Sequence, residues 1–130
     1  MIKHIVCFKL KNPTEELCNK TKEILLSMKG KVPMLIHVNV GIDFLHSDRS
    51  YDIILETYFN TKEDLDDYQN DPYHCNVVKT HMHAIRESSV AIDYEIDVKG
   101  FNFELRDHEF GVDFWHSKKE LFEHFFGDFY

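Results

Sequence analysis

The chain has 130 residues, of which 43% are hydrophobic and 29% charged, and 23 acids against 15 bases give it a net charge of −8. That is enough for one domain with a real core, and it excludes a disordered chain, a collagen-like repeat and a disulfide miniprotein. The acidic balance repels a phosphate backbone, which argues against nucleic acid as a partner, and no apolar run approaches the roughly 18–20 residues that cross a bilayer.

The opening residues Met1 to Val6 read as a strand rather than a signal peptide. Cys7, Cys18 and Cys75 are odd in number and lack CxxC spacing, which suits a reducing cytoplasm, the expected location. Protonating all nine histidines would move the charge from −8 to +1, so solubility near pH 6 is expected to be fragile.

Ile2 to Leu10 alternates, with Ile2, His4, Val6, Phe8 and Leu10 on one face, and predicts a first strand. Asn12-Pro13-Thr14-Glu15 reads as an N-cap, a proline at the first helical position and a capping-box glutamate. Leu17, Ile24, Leu25 and Met28 follow at helical spacing, with Gly30 as the stop. A second strand is expected from about Met34 to Phe44, with Gly41 marking a bulge or close approach. The third runs from Tyr51 to Phe59. Thr61 and Asp64 open a second helix, Pro72 breaks it, and Asp71 caps a restart to about Arg86 that carries Val77, Val78, Met82 and Ile85 inward. Ser88 to Ile96 is the fourth strand, with Val90, Ile92, Tyr94 and Ile96 forming its apolar face.

The order βαββαβ predicts an α+β, ferredoxin-like (split-βαβ) domain with two helices over the apolar faces of the strands. Ile5, Cys7, Ile54 and Tyr58 make the opposite face half apolar, as in a sheet that packs on another sheet, so a homodimer through that face is expected. Residues 100–130 lie outside this pattern: ten of the 31 are aromatic, and seven acids against three bases give −4. This extension, with a capping box at Ser117 to Glu120, is expected to carry a short helix packed on the domain of residues 1–99 or on its dimer mate.

In a split-βαβ sheet the first and third strands are antiparallel neighbours, which sets His4 beside the end of strand three, where the second helix departs. Tyr68 lies before the Pro72 break and His74 after it, so three polar groups converge on one end of the core. They either satisfy one another or form a site, with His74 as a base, Tyr68 as a hydroxyl donor to a carbonyl and His4 as an orienting group. The helix N-terminus disfavours an imidazolium at His74 while Asp71 favours it, so the net direction stays open. No histidine or cysteine spacing makes a zinc site, and only an accidental ion among the acids expected on the dimer face (Glu56, Asp93, Glu95) is conceivable. No metal, organic cofactor or cysteine nucleophile is expected.

His4-Ile5-Val6-Cys7-Phe8-Lys9-Leu10-Lys11, Asp67-Tyr68-Gln69-Asn70-Asp71-Pro72-Tyr73-His74 and Val90-Ala91-Ile92-Asp93-Tyr94 together resemble the stress-responsive A/B barrel (Dabb) domain over about residues 2–97. The resemblance implies a dimeric α+β barrel of two ferredoxin-like protomers. Some members of that family are stable stress proteins without an assigned reaction. A few plant members are polyketide cyclases that close a poly-β-keto product by aldol condensation without a cofactor. By motif position their polar pocket falls on His4, Tyr68 and His74. Three functions follow: a binder of a small hydrophobic or carbonyl-containing molecule, a cyclase-like aldol lyase, or a non-catalytic stress and assembly protein.

Overall fold

The computed structural model describes residues 1–96, and the expectations for residues 100–130 lie outside them. The elements are β1 (Ile2–Leu10), α1 (Glu15–Leu26), β2 (His37–Ile42), β3 (Ile53–Phe59), α2 (Lys62–Gln69), a π-helical segment (His74–Lys79) running into α3 (Thr80–Ile85), and β4 (Arg86–Glu95). The four strands form one antiparallel sheet in the order β2-β3-β1-β4. This is the ferredoxin-like fold that the element order predicts. β1 and β3 are neighbours, with His4 opposite Thr57.

The core lies between the sheet and the helices. Leu25, Met28, Val38 and Phe59 are fully buried there, joined by Ile53, Leu55, Val78 and Met82. Burial of each such side chain is worth about 1.5–3 kcal/mol, enough to hold the helices on one face. Gly41 is a close approach within β2: a Cβ there would stand 2.9 Å from Cγ2 of Ile54, its partner on β3.

The structure corrects three local expectations. Helix α1 is capped by Thr14, whose hydroxyl accepts the amide of Leu17 at 3.2 Å, and not by Asn12; Pro13 therefore precedes the cap instead of opening the helix. Thr14 needs only its own Oγ1 in extended backbone to take that amide, which leaves two acids, Glu15 and Glu16, in the first turn. Val77 is 38% exposed rather than inward. The π-helical turn holds more residues per turn than an α-helix, so the buried side passes through His74, Val78 and Met82 and skips Val77.

The third correction concerns β4. Its register on β1 sets Asp93 opposite His4, Ala91 opposite Val6 and Ser89 opposite Phe8, all on the helix side. Val90, Ile92 and Tyr94 consequently point outward, beside Cys7, Ile5 and Lys3, and are 50%, 59% and 41% exposed. Asp93 and Glu95 therefore lie on the helix side, and only Glu56 of the three acids faces outward, paired with Lys3 at 3.2 Å. Pairing fixes alternation, so a strand cannot turn its apolar residues to the core once this register is set. The small residues Ser89 and Ala91 leave the helix side of β4 open, and a cavity lies between it, β1 and the helices.

Candidate functional site

Local chain chemistry builds the site around Pro72. Proline offers no amide hydrogen, and α2 ends at Gln69. The buried Asp71 restarts the helix: one carboxylate oxygen accepts the His74 amide at 3.0 Å, and its carbonyl accepts that of Cys75 at 2.9 Å. Tyr73 ties the break to the end of α1 through a 2.6 Å hydrogen bond between its hydroxyl and Oγ of Ser27.

His4, Tyr68 and His74 are brought together, all buried, with Tyr68 between the two histidines. The His74 ring stacks on Tyr68, with centroids 3.9 Å apart and planes at 19°. His4 meets the same tyrosine edge-on at 6.1 Å. Nδ1 of His74 lies 2.9 Å from the backbone carbonyl of Tyr68. A carbonyl only accepts, so Nδ1 carries the hydrogen and the neutral ring keeps its lone pair on Nε2. His4 is held in the same way, its Nδ1 donating to the carboxylate of Asp93. Neither Nε2 has a hydrogen-bond partner among the described residues.

Burial decides the open question at His74. It pushes the imidazole down from 6.5 to about 4, assisted by Lys79 and His4, against the opposing pull of the Tyr68 carbonyl and Asp71. His74 is thus neutral at pH 7. Burial also pushes the Tyr68 phenol up, with Asp71 adding to it. The Tyr68 hydroxyl donates to Sδ of Met28 at 3.7 Å, and Met28 is not part of the cavity wall. Tyr68 thus presents its ring rather than its hydroxyl to the cavity. Burial raises the thiols of Cys7 and Cys18, which keeps them protonated and poor nucleophiles.

The cavity measures about 240 Å³. His4, Tyr68 and His74 form one part of its wall, and Val6, Phe8, Leu55, Val78 and Met82 form the apolar part. Gln69, Lys79, His83, Arg86 and Ser89 complete it with polar groups. Hollows of about 360 and 430 Å³ lie around the loop between β2 and β3, but neither is lined by a buried histidine. Among the described residues, no three His, Cys, Asp or Glu side chains are grouped to hold a metal ion.

The sequence placed Asp93 only among the acids of the dimer face, not beside His4, and it did not mark Lys79 or Arg86 as site residues. Counting the β1–β4 register outward from His4 would have found Asp93. Lys79 and Arg86 carry no signal that separates them from the charges of an ordinary wet helix face.

An antiparallel four-stranded sheet covered by helices on one side, with a histidine-lined cavity beneath them, defines a ferredoxin-like α+β protein. The family model of the Stress responsive A/B Barrel Domain matches residues 2–96, and the chain belongs to this Dabb family. A dimeric protein of ferredoxin-like fold from Bacteroides fragilis is 28% identical, aligns over 73% of this chain and 95% of its own, and superposes with a TM-score of 0.64. A Dabb family protein from Mesorhizobium loti is 21% identical over 74% of this chain and 96% of its own, with a TM-score of 0.58. A hydroxynitrile lyase from Passiflora edulis has the same fold, at 19% identity, 75% and 94% coverage and a TM-score of 0.62. No curated protein matches the chain.

Proposed function

We propose that the protein is a homodimer joined through the outer sheet face, and that its cavity binds a small hydrophobic or carbonyl-containing molecule. One observation carries the binding reading: two buried histidines, each held at Nδ1, leave two Nε2 lone pairs without partners beside an apolar wall. Neither atom is sealed from solvent, so each can accept a hydrogen from a water or from a ligand's enol hydroxyl or acidic C–H in the cavity. The volume, about 240 Å³, exceeds the roughly 150 Å³ that admits benzene and falls below the roughly 300 Å³ of drug-sized sites, so it suits one ring or a short chain. The assembly reading predicts a filled core, and this cavity counts against it. Free Cys7, Cys18 and Cys75 support a reducing, cytoplasmic setting.

A second reading, a cofactor-independent aldol lyase of the polyketide cyclase kind, is favoured by the same lone pairs. The fold of the Passiflora lyase supports it only as a scaffold. A base held near 4 removes a proton effectively only from an acidic carbon, such as one between two carbonyls. Binding is therefore the primary reading, and turnover is secondary. The test is a ¹⁵N-resolved NMR titration with benzoylacetone. Saturable shifts at His4, Tyr68 and His74, with affinity about ten-fold lower in His74→Ala, are expected. Absence of saturable shifts there overturns the reading.

A further inference from the structure

The cavity wall has a sign that the chain as a whole does not. The protein carries −8, with 23 acids, yet among the described residues no Asp or Glu lines this cavity, whereas Lys79 and Arg86 do. They stand at the two ends of α3, Lys79 closing the π-helical turn and Arg86 opening β4. Both are half-buried.

Each cation is oriented by a neutral acceptor. Nζ of Lys79 donates to the backbone carbonyl of Gln69 at 2.9 Å, and Nη1 of Arg86 donates to Oγ of Ser89 at 2.8 Å. Ion pairs among the described residues use Lys3, His4, His46 and Lys62, and neither of these two cations. Lys79 keeps two further N–H donors and Arg86 four, all without a carboxylate. Two partly desolvated cations held in place beside an apolar wall, with no carboxylate partner among the described residues, suit an anion.

We propose that the natural occupant is a small carboxylate with an apolar body and an enolisable carbonyl group, its carboxylate taken by Arg86 and Lys79 and its enol hydroxyl or acidic C–H turned toward the Nε2 lone pairs of His4 and His74. This inference rests on the binding reading above and narrows its ligand class. Arg86 supplies the planar fork that matches a carboxylate, and Lys79 adds a point charge.

The test compares benzoylacetate with benzoylacetone, which replaces the carboxylate by a methyl ketone of similar shape. Affinities are measured by NMR titration of the full chain. The wild-type protein should hold benzoylacetate about ten-fold or more tighter than benzoylacetone. That preference should shrink several-fold in Arg86→Gln and in Lys79→Gln, recover in part in Arg86→Lys, and weaken with added sodium chloride. Equal affinities in the wild-type protein overturn the carboxylate proposal and leave the binding reading standing. A preference unchanged in the Arg86→Gln, Lys79→Gln double variant also overturns it, and binding of neither compound overturns both readings.

Discussion

Asp93 on β4 accepts the Nδ1 hydrogen of His4 from the position directly opposite it on β1. The carboxylate thereby sets the His4 tautomer, which points the lone pair of Nε2 elsewhere. Replacement by alanine should let the ring redistribute toward the Nε2-protonated tautomer. Ring ¹⁵N shifts read this directly. The Asp93 side chain is 48% exposed, so the loss of stability should stay within about 1 kcal/mol. An unchanged tautomer in Asp93→Ala would mean that another group orients His4.

His74 links stability to pH. Its pKa falls from 6.5 to about 4 through burial, so between those values the unfolded chain binds a proton that the folded chain refuses. Stability contributed by the neutral ring is complete above pH 6.5, declines as pH drops toward 4, and is level below that. The decline should reach about 3 kcal/mol. Burial lowers His81 too, with help from Lys20, and adds to the same slope. Urea unfolding at pH 7.5 and 5 should show the loss in the wild-type protein and a clearly shallower one in His74→Gln.

The two halves of Tyr68 are separable. Its ring is buried against Phe59 and His74, at centroid distances of 5.0 and 3.9 Å, while its hydroxyl reaches only a thioether. Tyr68→Phe should therefore cost less than about 1 kcal/mol and leave benzoylacetone affinity intact, whereas Tyr68→Ala should cost about 3–5 kcal/mol. The family resemblance assigns this hydroxyl to a substrate carbonyl. A ten-fold loss of affinity in Tyr68→Phe would restore that role and show that the hydroxyl leaves Met28 when ligand enters.

How far the sequence could be read follows from the distance over which each feature is determined. The strand order and the meeting of His4, Tyr68 and His74 were legible, because alternation, the Pro72 break and split-βαβ topology are each written in short segments. The cap of α1 was misplaced by two residues because Asn12 and Thr14 both have side chains suited to it, and only backbone geometry chooses. Val77 was misplaced because a π-helical turn has no composition of its own. The faces of β4 are inverted relative to its apolar pattern, because that pattern alone directs apolar residues toward the helices. In the structure, the pairing to β1 decides which way they face, and the apolar side points out to a surface that one protomer leaves open. The tautomers of the histidines depend on Asp93 and on a backbone carbonyl, neither of which any local pattern marks.

Gly41 tests the fit between β2 and β3. An alanine there drives its Cβ to 2.9 Å from Cγ2 of Ile54, a branched side chain with little freedom to yield. Gly41→Ala should destabilise the fold by about 1–3 kcal/mol, and Ile54→Ala in the same chain should recover part of it because the opposing methyl is gone. A double variant whose two losses simply add, measured by chemical denaturation, would show that the contact is not the cause.

The outer sheet face carries the proposed dimer. Val90, Ile92 and Tyr94 on the edge strand β4 stand exposed beside Ile5 and Cys7, and the polar part of the face is satisfied internally, with Glu56 bonded to both Lys3 and Asn39. An apolar strip at a sheet edge invites pairing with another sheet, and a second copy presents the same strip. An isologous contact places Ile92 of both protomers in one interface, so a single Ile92→Asp introduces two buried charges. At 59% exposure in the protomer, the same substitution costs the isolated fold little. Sedimentation at micromolar concentration should give a dimer for the wild-type chain and a folded monomer for Ile92→Asp. A wild-type monomer, or a variant that remains dimeric, would move the interface away from this face.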